Sequence, residues 1–132
     1  MVIPLAKKRI LLGASKDQPI EAAFGELFED QTFEIDVVEY YNESHLGPIM
    51  SQMAEIKYDA VIPTNLGLSP HCIPQFVSLI KEAHPTTRIV VLSGYDSPDF
   101  VLDLKRRGID DFFHMPFEPE ELHSRIKQLL GA

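Results

Sequence analysis

A single cysteine, Cys72, in 132 residues excludes an internal disulfide and any cysteine-built metal cage. No apolar run approaches the roughly 20 residues needed to cross a bilayer. The amino-terminal MVIPLAKKRILLG has too short an apolar segment before its lysines, and no small-residue cleavage site, to read as a signal peptide. Cationic residues are scarce: 12 Lys and Arg stand against 20 Asp and Glu, for a net charge of −8. Nucleic-acid phosphates and anionic membrane surfaces repel such a chain, so neither is an expected partner. His45, His71, His84, His114 and His123 show no ligand spacing, and no metal site is expected. Repeats, low-complexity tracts and linkers are missing too. Hydrophobic residues at 45% and charged residues at 24% suit an ordinary globular chain. The expectation is one domain over 1–132, its core over about 8–130, in the cytoplasm by default and needing no staple.

What is present is an alternation of strand and helix patterns. Ile10-Leu11-Leu12 after Lys8 reads as a strand buried on both faces. Ser15 to Gln18 are turn and capping residues, with Pro19 in a first helical turn, and Ile20, Phe24, Leu27 and Phe28 make one helix face. Phe33, Ile35 and Val37 alternate with Glu34 and Asp36, the period of a strand and of a less buried sheet edge. Ser44 to Ile56 has helical spacing that Gly47-Pro48 interrupts near its start. Ile73, Phe76, Val77 and Ile80 form an amphipathic helix ending before Pro85, and Ile89 to Leu92 a further buried strand. Ser97-Pro98 caps a helix that Gly108 ends, Asp111 to Phe113 is a short strand, and Glu118 to Glu121 opens a last helix with acids at its positive end. Connections this long make crossovers and not hairpins, so the expected fold is a three-layer α/β/α sandwich around a parallel sheet.

The central strand lies in Lys57 to Pro70, KYDAVIPTNLGLSP, where Tyr58, Ala60, Val61 and Ile62 surround Asp59 and the Asn65-Leu66-Gly67 turn closes the run. Its carboxyl end faces the side of an open α/β sheet on which ligands bind. This stretch resembles the third strand and following loop of response-regulator receiver domains, the CheY-like, flavodoxin-like fold. RIVVLSG and the tail from Gly108 to Leu122, GIDDFFHMPFEPEEL, carry the same resemblance in the right order. It spans roughly Lys8 to Leu130 and implies the strand order 2-1-3-4-5, with a cis peptide before Pro116.

The resemblance also implies where chemistry is lost. In the family, two acids after the first strand and an acceptor aspartate hold magnesium, and a lysine neutralises the phosphoryl group. The matching positions here are Ala14, Ser15, Thr64 and Met115, with Ser93 at the hydroxyl position and Phe112 at the aromatic switch position. Three neutral side chains do not offset the desolvation of magnesium, and threonine is an alcohol of high pKa with no adjacent base. Thr64, Ser15 and Ser93 also have a plainer reading as hydroxyls that satisfy backbone groups at strand ends. Met115 would fill vacated space, and Asp17 and Asp96 would be solvated loop acids. Pro63 removes a donor near the end of the central strand, which would displace the loop after it.

The function this implies is an atypical receiver of a two-component phosphorelay. It would be no enzyme and carry no cofactor, acting as a phosphorylation-independent interaction module for a signalling protein: a kinase, regulator or output protein. The resemblance places partner contacts at Phe100, Lys105, Arg106, His123 and Arg125, and leaves a homodimer open. No output domain is expected within the 132 residues, so the effect is expected through another protein or a domain outside this chain. The alternative is a small-ligand sensor using the vacated pocket. Two other functions of this fold are disfavoured by the loop Gly13 to Gln18: it lacks the cysteine and arginine of small phosphatases and the Asp-x-His-x-x-Gly of cobalamin carriers.

Overall fold

Strand β3, Ala60–Asn65, runs through the middle of the sheet with Ala60, Val61 and Ile62 fully buried. The computed structural model describes residues 7–14, 20–39, 43–65 and 72–131. On one side β3 pairs in parallel with β1, Lys8–Ala14, and beyond it lies β2, Phe33–Glu39. On the other side lie β4, Arg88–Ser93, and β5, Asp111–His114, completing the expected order β2-β1-β3-β4-β5.

The sheet is apolar because both its faces are covered. Leu11, Val61, Ile89 and Val91 point into one layer, with α3 (Leu46–Glu55), α4 (Cys72–Ala83) and α5 (Pro98–Arg107). Their neighbours Ile10, Leu12, Ala60, Ile62, Val90 and Leu92 point into the other, with α1 (Ile20–Phe24), α2 (Glu26–Glu29) and α6 (Pro119–Leu130). Each buried Val, Leu or Ile among them contributes about 1.5–3 kcal/mol. Pro63 forfeits one ladder hydrogen bond, about 0.5–1.5 kcal/mol net, so burial wins and the strand continues through it. The β3–β4 register is the same before it, Val61↔Ile89, as after it, Thr64↔Leu92. The loop thought to be displaced by Pro63 falls at 66–71, outside the described residues.

Two helix expectations change. The apolar face of Ile20 to Phe28 belongs to two short helices, because Gly25 at φ +22 breaks the run while Phe24 and Leu27 stay buried on either side. The helix over 44–56 is not interrupted at Gly47-Pro48. Those residues lie in its first turn, where proline's missing N–H has no intrahelical acceptor to lose, and a 3-10 turn over Glu43–His45 leads into it. The expected limits of α5 hold: Ser97 accepts the Phe100 N–H at 3.3 Å, and Gly108 at φ +107 closes the helix in the left-handed region. The Met115-Pro116 peptide is cis. No helix among the described residues is long and apolar enough to cross a membrane.

The amino-terminal edge of the sheet is closed by two aspartates, each just before a strand. Asp59 Oδ2 accepts the Arg9 N–H at 2.8 Å while its own N–H donates to the Arg9 carbonyl at 2.8 Å. Asp110 does the same for Ile89, accepting at 2.8 Å and donating at 2.8 Å, and takes Arg88 Nη1 at 3.0 Å on its other oxygen. The Tyr58-Asp59 pair is therefore architecture: the Tyr58 ring is buried, and its hydroxyl donates to Asp36 at 2.6 Å and accepts from Gln52 at 2.8 Å. Burial and the Asp36 carboxylate push the phenol up from its ordinary value.

A third anchor joins α6 to α2. His123 Nε2 lies 2.6 Å from Asp30, with Glu26 3.7 Å from the other ring nitrogen and the Phe33 ring edge-on. Asp30 also accepts the Thr32 hydroxyl at 2.6 Å and the Thr32 N–H at 2.9 Å. The Thr32 hydroxyl first, then His123, hold the Asp30 carboxyl well below the usual carboxylate range.

Two outcomes follow from these anchors. Asp110→Ala leaves the Ile89 N–H unsatisfied and should cost about 1–3 kcal/mol in urea unfolding, with Asp110→Asn losing less. The depressed Asp30 carboxyl stabilises the fold in full above its ordinary value near 3.8, and that part is lost as pH falls below it. Asp30→Asn should therefore lower the melting temperature at pH 7, by about 1–2 kcal/mol of stability, and the gap to the parent should narrow toward pH 3. A gap of constant size across that range would contradict the assignment.

Candidate functional site

The carboxyl ends of β1, β3 and β4 bring the sequence-singled positions together. Ala14 ends β1, Thr64 lies next to last in β3, Ser93 ends β4, and Met115 follows β5. Ala14 and Ser93 are fully buried and Thr64 is 1% exposed, so none is a surface group. The Thr64 hydroxyl donates to the Gly13 carbonyl across the sheet at 2.9 Å. Ser93 Oγ accepts the Tyr95 N–H at 3.0 Å, and the Ser93 carbonyl accepts the Met115 N–H at 2.9 Å. Met115 is half-buried and its side chain packs into the layer of α1, α2 and α6. The hydroxyls thus do what the plainer reading asks of them, closing backbone groups at strand ends. Ser15 and Asp17 lie outside the described residues, as do 66–71, on the loops after β1 and β3.

Magnesium does not fit this set. It asks for hard oxygen ligands and is held by carboxylates, whereas the side chains of Ala14 and Met115 offer no oxygen and Thr64 offers a single neutral hydroxyl. Asp96 does not supply the missing charge. It is solvent-exposed and lies 3.7 Å from the exposed His114, whose ring nitrogen is also 3.2 Å from the Gly94 carbonyl. Among the described residues no group of three His, Cys, Asp or Glu side chains could hold a metal ion. Cys72 is half-buried, and burial, helped by the charge of Glu43, pushes its thiol up from its ordinary value, away from a reactive thiolate.

The candidate partner contacts are only partly gathered. Phe112 turns into the layer of α3 to α5, where its ring meets Phe100 edge-on at 6.4 Å, and Phe100 meets Tyr95 edge-on at 5.1 Å. Lys105 and Arg106 are exposed on α5, whereas Arg107 beside them is held by Asp103 at 3.1 Å and by the Pro74 carbonyl and Ser78 of α4. Arg125 on α6 bonds Asp111 of β5 at 2.8 Å and Gln128 at 2.8 Å, lining a groove of about 400 Å³ with Phe113, Glu121 and Ser124. His123 does not join them. Its place on α6 faces α2, because Asp30 and Glu26 draw it there, so it is an anchor of the fold on the far side of the helix.

The sequence reading missed two residues on this face. Tyr95 at 48% and Leu102 at 45% are the exposed large hydrophobics among the described residues. Leu102 carried a signal, since it breaks the helical spacing of Val101 and Leu104 that points inward. Tyr95 sits in a turn, where periodicity gives none.

No family model and no curated protein sequence matches the chain. Solved structures do. HP1043, an orphan response regulator of H. pylori, is 24% identical with a TM-score of 0.76, the match covering 96% of this chain and 99% of that one. A CheY-like response regulator receiver domain protein from Methanospirillum hungatei JF-1 reaches 0.79 at 16% identity, over 96% and 95% of the two chains. An atypical orphan response regulator, described as having a phosphorylation-independent regulatory mechanism, gives 0.74 at 24% identity over 93% and 95%. The order β2-β1-β3-β4-β5, with helices on both faces, is therefore the CheY-like receiver fold across almost the whole chain.

Proposed function

We propose that the chain is an atypical receiver of a two-component phosphorelay that acts by protein contact without accepting a phosphoryl group. The observation that carries this reading is the carboxyl edge of the sheet, where a buried threonine hydroxyl bonded to Gly13 occupies the position the resemblance assigns to the acceptor aspartate. A carboxylate there is ionised at neutral pH and attacks as an anion, whereas an alcohol with no base beside it does not. Met115 supplies no cation to balance a phosphoryl group. No observation among the described residues of this edge favours the sensor alternative, since the Thr64 hydroxyl donates to Gly13 and Ser93 Oγ accepts the Tyr95 N–H.

The contact surface in this reading is formed by α5, β5 and α6. Lys105 and Arg106 are a local positive patch on a chain of net charge −8, and such a patch steers an acidic partner and speeds its association at low salt. With no phosphorylation to switch it, this face is held in one state in this reading, with Phe112 turned inward against Phe100. The partner is a signalling protein, whether kinase, regulator or output protein, met in the cytoplasm.

Incubation with acetyl phosphate and magnesium should leave the intact mass unchanged. A stable gain of one phosphoryl group would overturn the proposal. Charge reversal at Lys105→Glu with Arg106→Glu should slow association with an isolated partner by about tenfold at low salt, with the melting temperature unchanged because both side chains are exposed. Unchanged binding would move the interface to another face.

A further inference from the structure

The sheet has two outer strands, and they are unequal. β5 offers four residues, while β2 offers seven and among the described residues pairs only with β1. An outer strand of that length is a template for another strand unless like charge, a proline, a bulge or a covering element blunts it. FEIDVVE contains no proline or lysine, and its pairing with β1 runs unbroken from Phe33 to Glu39.

What β2 does carry is acid. Glu34, Asp36 and Val38 share one face, the face turned to the α3 layer, because Val38 packs there. Arg9 supplies one positive charge between the two carboxylates, 3.8 Å from Glu34 and 3.5 Å from Asp36, so the strip remains net negative. Half of the Glu34 side chain is exposed. Past Asp36 the strip leads into a groove of about 300 Å³ between β2 and α3, with Val38, Pro48 and Ile49 as its apolar wall and Glu39 and Gln52 as polar neighbours.

We propose that the outer side of β2 receives an extended segment of a protein partner carrying two basic side chains and one apolar side chain at successive alternate positions. Side chains on one face of a strand recur every second residue, about 6.8 Å apart. An added strand keeps that period, setting lysine or arginine opposite Glu34 and Asp36 and the apolar group opposite Val38, at the mouth of the groove. A second copy of this chain is a poor occupant. Two-fold pairing of β2 with β2 about its middle residue sets Asp36 against Asp36, and like charges directly opposite destabilise a sheet. This surface is on the opposite side of the sheet from β5, so it stands apart from the α5, β5 and α6 reading.

The test is a backbone-amide NMR titration of the protein at ~50 mM salt. The probes are the peptide Thr-Thr-Lys-Thr-Lys-Thr-Val-Thr-Thr, the same peptide in reversed order, and a control with glutamate for both lysines. One lysine peptide should shift the amides of 33–39, Ile49 and Gln52 saturably and lose affinity at ~0.5 M salt, while the control should not bind. Glu34→Lys, an exposed change, should weaken that binding by ~5-fold or more. The proposal is overturned if neither lysine order moves the β2 amides, if the control binds as tightly, if Glu34→Lys binds unchanged, or if the β2 amides shift with protein concentration alone.

Discussion

The constraint on which the rest depends is burial of β1, β3 and β4 on both faces at once. A strand with helices above and below has no solvent to satisfy stray polar groups, so its ends must find partners within the protein. At the amino-terminal edge Asp59 and Asp110 meet this demand, each exchanging a pair of hydrogen bonds with the neighbouring strand. At the carboxyl edge Thr64 and Ser93 meet it with hydroxyls. That second solution fills with committed neutral groups the place where an open α/β sheet keeps its chemistry.

Charge is distributed to match. The chain carries a large negative excess, and several of its acids are structural: Asp36 takes the Tyr58 hydroxyl, Asp30 takes His123 and Thr32, and Asp111 takes Arg125. Most of the arginines are drawn into such pairs, with Arg9, Arg88, Arg107 and Arg125 each facing carboxylates. The exposed cations Lys105 and Arg106 therefore stand out by position more than by number. In the proposed reading a signal rests on such fixed surface features, since the buried groups described at the carboxyl edge, Ala14, Thr64 and Ser93, carry no charge.

The strands and both helix layers were legible because two periods, alternation in Phe33 to Val37 and helical spacing in Ile73 to Ile80, reflect which faces are buried, whereas the strand order came from the resemblance. The break at Gly25 was not legible, since Phe24 and Leu27 keep helical spacing across it and only the backbone angle shows the discontinuity. Gly47-Pro48 misled for the opposite reason: proline signals a stop or a start, and only the hydrogen bonds tell which. At the site, the neutral character of Ala14, Thr64 and Met115 is written in the sequence, but the acceptors of the hydroxyl groups are not. His123 was grouped with Phe100 and Lys105 because the resemblance assigns partner contacts to the surface that its helix helps to form. Its true direction depends on Asp30, 93 residues away, which no local pattern reveals.

The central claim is that this carboxyl edge does not receive magnesium and a phosphoryl group. Backbone-amide spectra recorded with magnesium and beryllofluoride, a mimic of a bound phosphoryl group, read that edge directly at Ala14, Thr64, Ser93 and Met115. The account predicts that these amides stay in place at saturating additions of both. Saturable shifts confined to these residues, and absent with magnesium alone, would contradict it.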